Sequence, residues 1–570
     1  MSTSSFAHVS EVNASGQVRR WQLENPDGRV KTSSVNRDTH AIIYRLDTAG
    51  YSATNSAAEL DAVRAAFDQW QGVGGTRVKF EEGPGLTGTT DVDSTDHTNK
   101  VFWTRNLTIN GGRDNLRGVL ALTYVASFRD GNVIFDADTV LNGVEYSWFT
   151  DASHPTTPKA FVEAIALHEG GHLLGLQHSP VGAATMLVAG ELGVNAQVGL
   201  SPDEWTAARG IYPTSDMAGQ VGRVTGRVTA SGQPVFGAAV FAENARGELL
   251  SGTVTLADGT YSLPGLPAGV QVVRAAPLDP LSAPNYLVRG ADISPAYTGA
   301  QTTFVPSADR VVTVSAGGTA GNIDLNVSGG SPPRIVRLLR PSANLVVPTY
   351  SGFRVVIVPD GTTQYVGVLT SAPASADLRL EVTGKGFESG PVVVRTNALS
   401  GLALVAMPLT VSTNALPGLR SFRLRNATQS GWAHGFLEIL PPFPDANGDG
   451  LDDNFQRLYW QRFTVPEAGP LADPDGDGFS NEWEFRTGSL PTNALSAHFE
   501  VESVRVTSSG TVVRTQAAQG KRFQLRGRDT VDGAPWEAVG GPVTAASATI
   551  EFNDPSATRT VRFYRVEMVP

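Results

Sequence analysis

The stretch HEGGHLLGLQH, His168–His178, holds three of the nine histidines in a chain of 570 residues. On a helix, residues four apart lie on one face about one turn apart, so His168 and His172 can offer two imidazole nitrogens to a single point. Glu169 stands one position round, beside that point but not on it. This set suits a zinc ion held by two histidines, with the glutamate acting on water brought there. Gly175 has no Cβ and can take the left-handed conformation that ends a helix and reverses the chain. The reversal lets His178 return as third ligand, leaving the fourth tetrahedral position to water. A pair of solvated helix histidines would account for His168 and His172 but not for the glycine and third histidine at these offsets.

Helical and strand signals alternate around this stretch, from Arg20 to about Tyr212. Ser56-Ala57-Ala58-Glu59 reads as a capping box, and Leu60, Val63, Phe67 and Trp70 follow at helical spacing, predicting a helix from about Ala57 to Trp70. Strand-type runs are AIIYRL (41–46), RVKF (77–80), KVFW (100–103), GVLALTYVASF (118–128) and NVIFDADTVL (132–141). The histidine helix is predicted to start near Thr157, with Pro158 at its first position. A third helix is predicted from the capping box Ser201–Glu204 to about Ile211. This block is α+β.

After Pro213 the texture changes to short strands punctuated by Gly, Pro, Ser and Thr, the pattern of β-sandwich modules. The fold class expected is therefore multidomain, an α+β domain followed by all-β sandwiches. The boundaries read as an N-terminal arm (1–37), the α+β domain (38–215), a β-sandwich (219–327) and, past the linker SGGSPP, a second (334–442). An aspartate-laden spacer (443–495) and a C-terminal β-sandwich (496–570) complete the chain. Its aromatic residues Phe523, Trp536, Phe563 and Tyr564 fill a core or line a carbohydrate site, the core being the favoured reading.

The net charge of −11 is spread without a long basic run, which argues against nucleic acid or an anionic membrane surface as partner. No cysteine is present, which excludes disulfides, thiolate ligands, a cysteine nucleophile and latency through a thiolate. No run approaches the length of a membrane helix. The start MSTSSFAHVS lacks the charged and apolar regions of a secretory leader, leaving two expectations: a cytoplasmic protein, or an exported one whose leader this sequence does not include.

HEGGHLLGLQHS resembles the metzincin zinc motif HExxHxxGxxH. The glycine after the glutamate, the LGL and the serine after the third histidine are similar to the matrixin branch, as are AIIYRLD, AAFDQW, GNVIFDADTVLNG and LSPDEWTAARGIY. AATM places Met186 eight residues past His178, where matrixins carry the methionine of the Met-turn. The resemblance implies a zinc endopeptidase with His168, His172 and His178 as ligands, Glu169 as general base and acid, Met186 as an apolar floor beneath the metal and Gly175 as the structural turn. Three departures stand out. Leu187-Val188 replaces the usual Tyr-Pro, and no tyrosine stands two past Met186 as in astacins and serralysins. The histidine pattern of a second, structural zinc is missing, so one zinc is expected. Within Leu116–Phe128 the chain supplies either the edge strand that pairs with substrate or an ordinary buried strand. The apolar Leu187–Ala189 points to a hydrophobic residue just after the cut.

DPDGDGFSNEWE places oxygen ligands at positions 1, 3, 5, 9 and 12 of a twelve-residue loop, with Gly478 at 6. Asp473, Asp475, Asp477, Asn481 and Glu484 fill them, and Phe479 gives its backbone carbonyl. DANGDGLDDNFQ repeats the pattern with Asp445, Asn447, Asp449 and Asp453, but Gln456 replaces the bidentate glutamate, so weaker binding is expected. One or two calcium ions are expected, against the alternative of a solvated acidic linker. The loops resemble thrombospondin type 3 and dockerin-like spacers of bacterial exported proteins, which favours a secreted bacterial protein. The run Gly226–Gly269 resembles the carboxypeptidase regulatory-like, or transthyretin-like, sandwich, and the module after it is similar to immunoglobulin-like sandwiches in general pattern.

The expected function is a secreted zinc endopeptidase acting on proteins or peptides, with cell-surface or polysaccharide contact through the β modules left open. The alternative is an adhesin or polysaccharide-binding protein whose protease domain is vestigial or processes only itself.

Overall fold

A computed structural model describes every residue except 1–17, 25–27, 129–131, 151–158, 189–198, 283–286, 345, 347–353, 374, 376, 400, 446–448, 461–462, 464, 477–478, 495, 497–500, 518, 521, 531–534, 557–560 and 570. The chain forms two units, Met1–Asn447 and Gly448–Pro570. The first opens with five strands, β1 (Ile42–Leu46), β2 (Phe80–Glu82), β3 (Asn99–Thr104), β4 (Ala121–Ser127) and β5 (Ile134–Asn142), in the order β2-β1-β3-β5-β4. β1, β2, β3 and β5 run parallel, whereas β4 runs antiparallel along β5 and ends the described sheet. Helices α1 (Ser56–Gln71) and α2 (Val162–Leu173) bury Phe67, Trp70, Leu167 and Leu173 with Ile42, Leu46, Val101 and Leu141 in one core.

Three local expectations change in the folded chain. The box at Ser56 does not form: Asn55 is the N-cap, and Glu59 instead accepts from Tyr51 N, Ser52 N and Ser52 Oγ (2.7–2.9 Å), so it holds the preceding loop. RVKF pairs only from Phe80 onward, because Arg77 donates from its amide to Tyr212 O (2.7 Å) and from Nε to Pro213 O (2.7 Å). The histidine helix begins at Val162, after Ala160–Phe161 pairs with Trp148–Phe149; Thr157 and Pro158 lie outside the described residues. The box at Ser201 does form, opening α3 (Pro202–Ile211).

The β modules of the first unit share a sheet. An eight-stranded sheet among the described residues joins Ala239–Asn244 and Leu249–Val254, upstream of SGGSPP, to Gly418–Arg425 and Ser430–Ile439 downstream of it. The seam is the pair Leu249 and Leu419, flanked by the buried residues Phe241, Phe422 and Phe436. A one-turn helix, α4 (Gly290–Ile293), lies within the earlier module, between the strands Gly269–Ala276 and Phe304–Val305. The whole is an α+β domain followed by β-sheet modules, the layout expected.

The second unit starts with α5 (Asp453–Tyr459) and α6 (Asn481–Thr487), then two three-stranded sheets enclosing Val513, Phe523, Leu525, Ile550 and Phe552. Phe523 is fully buried, and the Trp536 ring is covered by the guanidinium groups of Arg528 (4.3 Å to its centroid) and Arg565 (4.8 Å).

Candidate metal centre

α2 presents His168, Glu169 and His172, and its end is fixed by backbone geometry. Gly175 has φ +90°; its amide donates to His172 O (2.8 Å) and the Leu176 amide to Gly171 O (3.0 Å), a Schellman closure. A Cβ on Gly175 would stand 2.4 Å from Arg19 O, so the reversal admits no side chain. Two further donors cap the last carbonyls: Trp21 Nε1 on Leu173 O (2.9 Å) and Tyr212 Oη on Leu174 O (2.7 Å).

The turn brings His178 back. The rings of His168, His172 and His178 have centroids 4.9–5.2 Å apart, and their ligand nitrogens lie within 4.8 Å of one another. Each Nδ1 faces a backbone carbonyl, which can only accept: His168 donates to Thr185 O (2.7 Å), His172 to Leu176 O (2.7 Å) and His178 to Asp292 O (2.6 Å). With Nδ1 protonated, each Nε2 keeps its lone pair for a metal. Burial, with His172 close by, pushes His168 down to about 3, and burial also lowers His172 and, further, His178. Three neutral imidazoles with committed Nδ1 protons are a donor set that fits zinc.

Glu169 is buried beside this set and accepts from Thr123 Oγ1 (2.7 Å) on β4. Burial raises its carboxyl to about 7, against the lowering effect of the Thr123 hydrogen bond. Met186 is buried near the same helix: a Cβ on Gly171 would meet Met186 Sδ at 2.2 Å, and one on Gly170 would meet the Trp70 ring at 2.9 Å. The two glycines of HEGGH therefore let α1 and the methionine approach the ligand helix. The Met186 amide donates to Glu204 Oε1 (2.9 Å), so the box that opens α3 also ties down the methionine turn.

A cleft of about 730 Å³ runs past these groups, bounded by β4, Tyr146, Ile165, Leu187 and Val188. Glu169 is the one formally charged side chain among its described lining residues. Ala189, the last residue of the apolar Leu187–Ala189 run, lies outside the described residues.

Residues 36–213 match the Matrixin family model. A second match, to the carboxypeptidase regulatory-like domain, covers residues 223–328, and both agree with the resemblances carried by HEGGHLLGLQHS and by Gly226–Gly269. No curated protein matches the chain. The matrixin segment supports a zinc-dependent metalloprotease, whose substrates are proteins.

The aspartate loops look different. Asp477, Gly478 and Asn447 lie outside the described residues. Asn481 and Glu484 are buried at the start of α6, with Asn481 Nδ2 donating to Glu467 O and Gly469 O (2.8 Å each). Asp473 accepts from the Gly476 amide (3.0 Å); Asp475 stands two residues before the undescribed pair and Phe479 directly after it. In the first loop Gln456 Nε2 donates to Asp449 Oδ2 (2.8 Å), Asp453 is buried in α5, and Asp445 belongs to the preceding unit. Among the described residues the three histidines alone form a cluster tight enough for a metal. Three residues of the centre carry no motif signal in the sequence: Thr123, Trp21 and Asp292. Each acts across a tertiary contact, and none belongs to a local motif.

Proposed function

We propose that this protein is a zinc-dependent endopeptidase in which Glu169 serves first as general base and then as general acid. The observation that carries the reading is the triple commitment of Nδ1 protons to carbonyls, which turns three Nε2 lone pairs to one place beside Glu169. Zinc bound by His168, His172 and His178 would polarise the scissile carbonyl and acidify water at the site. Glu169, buried and held by Thr123, accepts the proton of the attacking water and passes it to the leaving amine. Its raised pKa suits a group that must hold that proton between the two steps.

β4 has no partner on its outer side in the described sheet and borders the cleft, so an extended peptide can pair with it as an added strand. Leu187, Val188 and Ile165 support a preference for an apolar side chain after the cut. The reading extends to export and to calcium in the Asp473–Glu484 loop of the second unit, supported by its ligand spacing.

The test is metal analysis of the purified chain with casein or gelatin cleavage, with and without a chelator. One zinc per chain and chelator-sensitive cleavage are expected. Glu169→Ala should lower cleavage at least about a hundredfold while zinc stays bound, since it removes the base and keeps the ligands. Substantial residual activity in that variant would remove Glu169 from the reaction.

A further inference from the structure

The third histidine is braced from outside the matrixin segment. His168 and His172 donate to Thr185 O and Leu176 O, close by in sequence, whereas His178 donates to Asp292 O, 114 residues downstream and inside the carboxypeptidase regulatory-like match. That carbonyl is available for a local reason. α4 is a single turn, and at Ser294 the chain becomes extended (φ −167°, ψ 150°), so the Ala296 amide turns to Ser294 Oγ (3.4 Å). Carbonyls at a helix end have no partner within the helix.

α4 is also held firmly. Arg289 grips the Asp292 carboxylate through Nη2 (2.7 Å) and Nε (3.0 Å), and its own amide donates to Asp292 Oδ2 (2.8 Å). Gly290 sits where a Cβ would stand 2.1 Å from Tyr297 O, and Ile293 is buried in the core that also contains Val181 and Leu187 of the methionine turn. A separate contact points the same way: the Gly182 amide donates to His434 O (2.9 Å), and the Phe436 ring lies against Gly182 so closely that no Cβ would fit.

We propose that the carboxypeptidase regulatory-like module is a working part of the metal centre, with Asp292, clamped by Arg289, positioning His178 as third ligand through its backbone carbonyl. The proposal rests on reading the three histidines as a zinc site. The acceptor fixes the tautomer and the ring orientation of His178 and raises its basicity as a ligand; without it no hydrogen bond holds the Nδ1 proton or the ring in the ligating orientation. Asp292 is a positioning residue and touches neither substrate nor metal.

The experiment measures zinc affinity of the full chain by competition with a chromogenic chelator, with unfolding in excess chelator as the fold control. Asp292→Ala removes the group that Arg289 grips and frees the one-turn helix; zinc binding about 10–100-fold weaker is expected in an apo-protein that still unfolds in one cooperative transition, at a midpoint lowered by the lost clamp. Asp292→Asn keeps an oxygen for the Arg289 amide and should bind zinc close to wild type. If Asp292→Ala does not fold, a full chain with the α-hydroxy analogue of isoleucine at position 293 converts the 292–293 amide to an ester, whose carbonyl is a poorer acceptor, and the same weakening is expected. A folded Asp292→Ala chain or ester chain that holds zinc as tightly as wild type overturns the proposal. A wild-type chain that binds no zinc overturns the site reading itself, which the wild-type titration reveals separately.

Discussion

Glu169 and the hydroxyl that orients it come from different elements, a helix and the neighbouring edge strand, with 2.7 Å between Thr123 Oγ1 and Glu169 Oε2. Thr123→Val keeps the shape and removes the donor. It should lower kcat/KM about tenfold or more while zinc content stays at the wild-type level, as read by cleavage assay and metal analysis on one preparation. A second carboxyl, Asp136 on β5, has no such partner for Oδ1, which accepts no hydrogen bond among the described residues. Burial, reinforced by the charges of Asp138 and Asp96, raises it from 3.8 to about 8. Between those values the folded chain holds a proton that the unfolded chain has lost, so stability declines as pH rises through this window, by up to about 1.4 kcal/mol per pH unit. Asp136→Asn removes that slope. From pH 5 to pH 8 the unfolding midpoint of wild type should fall relative to the variant's; parallel curves would refute the raised pKa.

At the scale of elements, the ligand helix was legible as far as its chemistry and not as far as its edges. The i, i+4 spacing of His168 and His172 and the break at Gly175 are local, and the folded chain has a helix there ending in a left-handed glycine. Its start was not legible, because Ala160–Phe161 is claimed by a strand pair with Trp148–Phe149, a contact that no periodicity announces. Ser56 and Ser201 make the same point from opposite sides. Both head a box-like sequence, yet only Ser201 caps its helix, since Glu59 is drawn off by the amides of Tyr51 and Ser52. Gly175→Ala places a side chain at positive φ and within 2.4 Å of Arg19 O. A loss of about 2 kcal/mol or more in urea unfolding, with loss of zinc, is expected, because the turn that returns His178 is displaced.

At the scale of the molecule, the first unit behaves as one body of packed parts. The methionine turn is buried among Phe241, Leu249 and Phe436 of the β modules, and a sheet runs across the linker that composition marks as a boundary. The second unit carries the calcium reading. Glu484 is buried at position 12 of its loop, so calcium should raise the unfolding midpoint of this unit in calorimetry, and Glu484→Ala should abolish most of the rise. At calcium a hundredfold above Kd the stabilisation is about 2.7 kcal/mol. No calcium-dependent shift in the wild-type chain would return the segment to a solvated acidic linker.

The sequence alone determined the three clustered histidines, the carboxylate beside them, the reversing glycine and the change from α+β to β texture, because each is written within one or two turns of chain. Tertiary structure decided which groups brace the site: Thr123 from the edge strand on Glu169, Trp21 from the N-terminal segment on the end of α2, and Asp292 from another module on His178. Hydrogen bonds of this kind join residues far apart in sequence, and a backbone carbonyl such as that of Asp292 has no side-chain identity for a sequence to display.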